Sequence, residues 1–272
     1  MKKVVLFFAL AVGLLASAAT VQAQTVNTSR YITLTVSNGE VIKLDFKAAA
    51  ANTSVRIKSG ITDTTITVGT SWKGITSYTA ADSVMTVYGD ITGFNCSSNG
   101  ANLTALDPSH NTQLEILSCS NNQLSSLDVS KNTQLEELYC YSNSLSNLDV
   151  SHNTQLKELS CYSNQLTSLD VSHNTQLTML DCYDNQLSTA ALDNIYCALP
   201  DRTGVEAGKI VPIVNAYSSN AATVKATTKS NATSKNWKVQ YVAGDDIFAT
   251  TGTYVCGSSP QPNMDSYITL TV

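Results

Sequence analysis

The stretch Leu124–Ser144, LSSLDVSKNTQLEELYCYSNS, recurs with few changes along the middle of the chain. Further copies begin at Leu103, Leu145 and Leu166, so four units follow one another with a period of 21 residues. A fixed period of roughly 20–29 residues with regularly spaced leucines is typical of proteins whose repeats stack side by side. One unit cannot bury its leucines alone, so we expect each unit to cover its neighbours.

Each unit, read on into the next, contains the pattern L-x-x-L-x-C-x-x-N-x-L. Side chains alternate in direction along a β-strand, so Leu138 and Cys140 are predicted to point inward while Tyr139 points outward. Successive units would then form parallel strands roughly 4.8 Å apart. We predict a mainly β protein with short helical turns, namely a right-handed leucine-rich-repeat solenoid over residues 91–200 with flanking β-domains.

Cysteine and asparagine recur at fixed positions of the repeat. The cysteines are Cys96, Cys119, Cys140, Cys161 and Cys182, and the asparagines that follow them are Asn122, Asn143, Asn164 and Asn185. We predict that the thiols form one inward-facing ladder, since a free cysteine behaves as a small apolar residue. Metal binding by these thiols is the less favoured alternative. The asparagine amides are predicted to satisfy backbone groups where the coil bends, and the Asn132-Thr133 pair to serve the turn at the opposite edge.

Residues 1–23 have the pattern of a signal peptide. Lys2 and Lys3 precede an apolar run, and a small-residue cleavage site ends at Ala23. The apolar run is too short for a membrane-spanning helix. We therefore expect an exported protein, secreted or held at the cell surface, without a transmembrane segment.

Strand patterns flank the repeats on both sides. Residues 24–90 contain alternating segments separated by Gly, Asn, Ser and Asp, which predicts an N-terminal β-domain. After the last repeat, the helical spacing of Leu192 and Ile195 predicts a short capping helix that ends before Pro200. Residues 201–258 are predicted to form a β-rich C-terminal cap.

The end of the sequence repeats a segment near its beginning. Ser266–Val272 reads SYITLTV, almost the same as Arg30–Val36, RYITLTV. We therefore expect residues 259–272 to be a linker and the start of a second β-module that is truncated in this sequence.

Two cysteines lie outside the predicted ladder. Cys197 falls off the apolar side of the capping helix, and Cys256 has no place in the repeat either. Exported proteins commonly form disulfides, so we predict a bond between Cys197 and Cys256.

The repeat resembles that of internalin-J-type leucine-rich-repeat proteins, including those secreted by Bacteroidota. The motif that carries the resemblance is L-x-x-L-x-C-x-x-N-x-L-x-x-L-D-V-S-x-N-T with its period of 21 residues. The segments Ala191–Gly204 and Lys235–Val239 are similar to the C-terminal cap of that group. The resemblance implies a secreted or surface-exposed protein of adhesion or host interaction.

Composition and charge exclude several classes of function. The formal net charge is −5 and charged residues make up only 14% of the sequence, whereas nucleic acids and anionic lipids require clustered lysine and arginine. The repeated Asp-Val-Ser-His runs are not a hydrolase triad, because that triad requires residues that converge in space. We predict no enzymatic activity and no cofactor.

Outward-facing tyrosines and acidic residues form the candidate ligand site. They are Tyr139, Tyr141, Tyr162, Tyr183, Asp181, Glu137 and Glu158. Tyr141, Tyr162 and Tyr183 share one register in successive turns, which predicts an aromatic stripe on the concave face of the array. Tyrosine suits both protein and sugar ligands. We expect a protein ligand; a glycan such as mucin on the same stripe, rings that only stabilise the sheet, and a spacer role for the chain are the alternatives.

Two further polar columns recur in the repeats. They consist of His110, His152 and His173, and of Asp128, Asp149 and Asp170. A metal site needs additional ligands in fixed geometry. We interpret both columns as solvated turn residues, with a metal at the histidines or calcium at the aspartates as the less favoured alternatives.

Overall fold

The structure is a computed structural model that describes residues 25–257. The predicted signal peptide over residues 1–23 and the predicted second β-module over residues 259–272 lie outside the described residues. The described chain is mainly β with few helices. Among residues 25–257, each helix is too short or too polar to cross a lipid bilayer.

The elements follow one another from strands to repeats to a mixed cap. The N-terminal strands are β1 (Tyr31–Val36), β2 (Val41–Ala48), β3 (Thr53–Ser59), β4 (Thr62–Val68), β5 (Thr76–Thr79) and β6 (Val84–Tyr88). The repeat strands are β7 (Ile91–Asn95), β8 (Leu103–Asp107), β9 (Ile116–Ser118), β10 (Glu137–Tyr139), β11 (Glu158–Ser160) and β12 (Met179–Asp181). The C-terminal elements are α1 (Thr189–Ala198), β13 (Gly208–Ile213), α2 (Ala221–Lys225), α3 (Ser230–Thr233) and β14 (Trp237–Tyr241).

A nine-stranded sheet joins all three parts of the described chain. Its order is β14-β13-β12-β11-β10-β9-β7-β2-β5, parallel from β14 to β7 and antiparallel across β2 and β5. One inward residue of each parallel strand lies in register with the next, and all are buried: Phe94, Leu117, Leu138, Leu159, Leu180, Ile210 and Val239. The repeat leucines therefore form one continuous column of the core.

A second, five-stranded sheet covers the N-terminal end of the repeats. Its order is β4-β3-β6-β1-β8, with antiparallel neighbours. Ile32 and Leu34 of β1 are fully buried, as strand alternation requires. Strand β8 belongs to the first repeat unit by sequence, so the N-terminal module and the repeats share this sheet as well.

Asparagine side chains join each unit to the one before it. The Asn143 amide nitrogen donates to the carbonyls of Cys119 and Cys140 at 3.0 Å each, and its oxygen accepts from the Leu124 backbone amide at 3.0 Å. The preceding residue, Ser142, has a φ of 53°, in the left-handed region that makes this tight turn. The same bonds recur at Asn164 and at Asn185.

A second asparagine column lies at the opposite edge and is fully buried. Its members are Asn111, Asn132, Asn153 and Asn174, each 0% exposed. The Asn153 amide nitrogen donates to the Val129 carbonyl at 3.0 Å and to the Asn132 carbonyl at 2.8 Å. The side-chain oxygens of this column are buried without a hydrogen-bond partner. At this edge the asparagine side chains therefore link neighbouring units through their amide donors and not through their oxygens.

Helix α1 closes the last repeat. The Ser188 hydroxyl caps it by accepting from the Ala191 backbone amide at 3.1 Å, and Leu192 and Ile195 are buried. Residues 201–257 hold two strands and two short helices, where the sequence predicts mainly strand. Helices α2 and α3 are five and four residues long, too short to show an apolar period in the sequence.

Candidate binding face

The outward side of the repeat strands presents three columns of side chains, which we call the binding face. The first column is Gly93, Ile116, Glu137, Glu158, Met179 and Lys209, and the second is Asn95, Ser118, Tyr139, Ser160, Asp181 and Val211. The third, one position beyond the ladder cysteines, is Tyr141, Tyr162 and Tyr183. Residues of the first two columns alternate with the inward leucines, so their side chains lie on the opposite side of the sheet.

The three tyrosines of the third column are stacked. Ring centroids of Tyr141 and Tyr162 lie 4.4 Å apart with planes 7° from parallel, and those of Tyr162 and Tyr183 lie 4.3 Å apart at 10°. Burial raises the pKa of Tyr162 and of Tyr183. The parallel strands set this spacing, because each turn repeats its neighbour at about the strand separation. Ring edges and hydroxyl groups, rather than inner ring faces, are left for contact with a ligand.

Two carboxylates converge on one phenol beside the stack. The Tyr139 hydroxyl lies 2.6 Å from Glu158 Oε2 and 3.0 Å from Glu137 Oε2. The hydroxyl has one proton, so it donates to one carboxylate at a time. Burial, and then the bonds to the two carboxylates, raise the pKa of Tyr139. Tyr139 thus holds two carboxylates at adjacent positions of the first column.

These two carboxylates take part in none of the ion pairs of the described residues. Within residues 25–257 the ion pairs are Arg30–Asp90 at 3.0 Å, Arg56–Asp63, and Lys157–Glu136 at 2.7 Å. None of them includes Glu137 or Glu158. The centre of the binding face is therefore acidic.

Asp181 occupies the second column in a less solvated position. Its Oδ2 accepts from the Ser160 hydroxyl at 3.2 Å, while its Oδ1 is buried without a partner. Burial raises the pKa of Asp181, although Lys209 and the Ser160 bond act in the opposite direction. The carboxylate is held at a cost to the folded protein.

Trp72, a partly exposed residue of the N-terminal module, extends the first column. The sequence did not predict a role for this residue. A Cβ atom at Gly93 would lie 3.0 Å from Cη2 and 3.2 Å from Cζ2 of Trp72, so the indole covers the outward side of this glycine. Trp72 is 39% exposed. Its loop is held to β2 by bonds from the Lys73 amide to the Phe46 carbonyl at 3.0 Å and from the Gly74 amide to Asp45 Oδ1 at 2.8 Å. A glycine at an outward strand position is the signal that could have indicated this close approach.

The ladder cysteines lie side by side in the interior. Cys96, Cys119, Cys140, Cys161 and Cys182 are at most 1% exposed and unbonded, and burial raises the pKa of each thiol. Over residues 25–257, no group of three or more His, Cys, Asp or Glu side chains has the arrangement of a metal site. Cys197 and Cys256 are joined by a disulfide with Cα atoms 5.5 Å apart.

The histidine and aspartate columns lie on exposed turns. His110 stacks on Tyr31 with ring centroids 4.2 Å apart, and His152 contacts the Ser151 hydroxyl at 3.2 Å. Asp128, Asp149 and Asp170 each accept from the backbone amide of the serine two residues later at 2.8–2.9 Å. Hydrogen bonds from that serine lower the pKa of all three carboxyls. Both columns thus have local partners within their turns.

Two internalin structures from Listeria monocytogenes are similar to this chain. The functional domain of InlJ, described as including a cysteine ladder, is 35% identical over 45% of this chain and 26% of its own length, with a TM-score of 0.37. The internalin inlF is 17% identical over 46% of this chain and 41% of its own length, with a TM-score of 0.31. Each similarity thus spans less than half of this chain and less than half of the internalin chain. No protein-family model and no curated protein matches the sequence.

Proposed function

We propose that this chain is a non-catalytic binding protein, adhesin-like, that recognises a protein ligand on the binding face of a right-handed leucine-rich-repeat solenoid. The observation that carries the proposal is the stack of Tyr141, Tyr162 and Tyr183, whose rings lie 4.3–4.4 Å apart on an outward surface. Rigid aromatic side chains give large contact area at low entropic cost. Export through the signal peptide would place this face outside the cell.

The geometry of the stack favours a protein over a glycan. A sugar ring packs on the open face of an aromatic ring, whereas the stacking covers both faces of Tyr162 and one face each of Tyr141 and Tyr183. The edges and hydroxyls that remain suit the mixed polar and apolar contacts of a protein interface. A glycan bound by the same tyrosines is the alternative that the experiment separates.

Parallel binding to arrays of extracellular proteins and of glycans tests the proposal. Replacing Tyr141, Tyr162 and Tyr183 by alanine together is expected to weaken binding to a protein target by at least tenfold, about 1.4 kcal/mol. The matched control is Tyr217→Ala, since Tyr217 is 97% exposed and lies in the C-terminal cap. Thermal unfolding of each variant separates lost binding from lost folding. Binding that survives in the triple variant, or a response to glycans alone, would contradict the proposal; silence on both arrays would favour the spacer role.

A further inference from the structure

The N-terminal module contributes an apolar end to the binding face. Trp72 covers Gly93, which lies in register with Ile116 and, through it, with Glu137 and Glu158. Neighbouring strands lie about 4.8 Å apart, so Glu137 is about 10 Å and Glu158 about 14 Å along the sheet from Gly93. Tryptophan and carboxylates therefore stand at fixed separations on one surface.

The two ends of the row from Trp72 to Glu158 differ in chemistry: one leaves apolar surface exposed, and the other holds carboxylates that belong to no ion pair of the described residues. Trp72 is 39% exposed, and Ile75 in the same loop is 67% exposed. Exposed aromatic side chains on rigid supports are the usual anchors of protein interfaces. At the other end, Glu137 and Glu158 share only the Tyr139 hydroxyl, and no ion pair within residues 25–257 includes them. A ligand that covers the row must supply apolar surface at one end and positive charge at the other.

We propose that the ligand is an extended segment of a partner protein that places an apolar side chain on Trp72 and a lysine or arginine against the carboxylates of Glu137 and Glu158. An extended chain advances about 3.3 Å per residue, so the two side chains are separated by roughly three to four residues. This inference rests on the proposed function and gives the chemistry of its ligand.

Arginine suits the acidic end better than lysine. Its planar guanidinium donates in several directions and can bond to two carboxylates at once. Glu137 and Glu158 occupy neighbouring strands and are oriented by one hydroxyl, at 3.0 Å and 2.6 Å. Tyr139 thus acts as a positioning residue for the two carboxylates.

Selection of short random peptides displayed on phage, with the full chain as bait, tests the inference. The expected result is enrichment of peptides with an apolar residue roughly three to four positions from arginine or lysine. A synthetic peptide of the enriched sequence is expected to bind Trp72→Ala about tenfold more weakly. The double variant Glu137→Gln and Glu158→Gln is expected to lose a similar factor, and added salt is expected to weaken wild-type binding more than binding by this variant.

Controls keep folding and binding apart. Trp72→Phe is expected to recover part of the affinity that Trp72→Ala loses, and Tyr217→Ala, at a 97% exposed site in the cap, is expected to change nothing. The melting temperature of each variant shows whether the N-terminal module is intact.

The outcomes separate this inference from the proposed function. Enriched peptides that depend on the tyrosine stack but lack the apolar–basic pair, or ignore Trp72, would overturn the inference and leave the proposed function standing. A protein hit on the array with no enriched peptide would do the same. Failure of peptides and proteins, with or without a glycan hit, would remove both.

Discussion

Asp149 and Asp181 each follow a buried leucine, yet their carboxylates experience opposite electrostatic conditions. Asp149 is exposed and accepts hydrogen bonds from Ser151, which lower its pKa. Asp181 is half-buried with one oxygen unpaired, and burial raises its pKa. The first carboxylate stabilises the folded protein at neutral pH, whereas the second destabilises it.

The sign of each contribution predicts the effect of neutralising it. A carboxyl whose pKa is lowered by folding adds stability above its unfolded pKa, and this stability is lost as pH falls through the folded pKa. A carboxyl whose pKa is raised by folding destabilises the protein above the folded pKa, and this cost disappears below the unfolded pKa. Asp181→Asn is therefore expected to raise the melting temperature at pH 7 by about 1–3 °C, with the gain disappearing below about pH 4. Asp149→Asn should lower it at pH 7 and converge on wild type in acid.

Thermal unfolding of both variants between neutral and acidic pH measures these shifts. Changes of the same sign at pH 7 would contradict the account. If Asp181 is stabilised by a ligand, its replacement should also weaken binding, so that stability and affinity move in opposite directions.

The turns are the elements that hold neighbouring units in register. At one edge the Asn143 amide is satisfied at both nitrogen and oxygen, whereas at the other edge only the nitrogen of Asn153 has partners. The buried column can tolerate an unpaired acceptor oxygen because its two donor bonds satisfy carbonyls of two different turns. Each of these carbonyls also accepts a backbone amide of its own turn, Val129 from Asn132 at 2.9 Å and Asn132 from Leu135 at 3.1 Å, so removal of the side-chain amide would break the link between units and leave each carbonyl one partner.

Asn153→Ala is therefore expected to lower the free energy of unfolding by about 1–3 kcal/mol, since it removes two buried hydrogen bonds worth about 0.5–1.5 kcal/mol each. The control is Thr154→Ala, which alters the next residue of the same turn at an exposed position. Urea unfolding of both variants provides the measurement. A loss as small as that of the control would mean that these two side-chain bonds do not hold the neighbouring units together.

Local sequence patterns predicted the repeat strands and helix α1. They did not predict strand pairings between segments that are far apart in the sequence. Leucine spacing placed Leu138 and its equivalents inside, and helical spacing located Leu192 and Ile195. Strand β5 and the pairing of β2 with β7 depend on contacts between segments far apart in the chain. The role of Trp72 was not predicted for the same reason, since its neighbours in the sequence do not indicate that its ring lies on Gly93. The predicted tyrosine and acidic residues share one face, and no local pattern shows the shared Tyr139 hydroxyl.

Residues 25–257 share one continuous hydrophobic core. The cluster extends from Ile32 in the N-terminal module through the repeat leucines to Ile247 in the cap. The nine-stranded sheet crosses the same three regions. The disulfide between Cys197 and Cys256 adds a covalent link between helix α1 and the segment after β14, over a sequence separation of 59 residues.

Thiol counting tests this covalent arrangement. The denatured, unreduced protein is expected to contain five reactive thiols, those of the buried ladder, and the native protein almost none. Replacing Cys197 and Cys256 by serine is expected to lower the free energy of unfolding by about 4 kcal/mol on the chain-entropy model. A single reactive thiol after denaturation would show instead that the ladder is paired.

The asparagine bonds between units bear on how the number of repeats can change in the gene. They recur at separations of 19, 21 and 24 residues, so any unit supplies the contacts that any neighbour needs. Near-identical stretches of a gene misalign during recombination, and gaining or losing one whole unit leaves the remaining asparagine bonds in register. Each such event would lengthen or shorten the binding face by about 4.8 Å, while Trp72 and the cap stay in place. The length of this face can thus change by whole units without the loss of an asparagine bond, whereas the distance from Trp72 to the Glu137–Glu158 pair changes with any unit inserted between them.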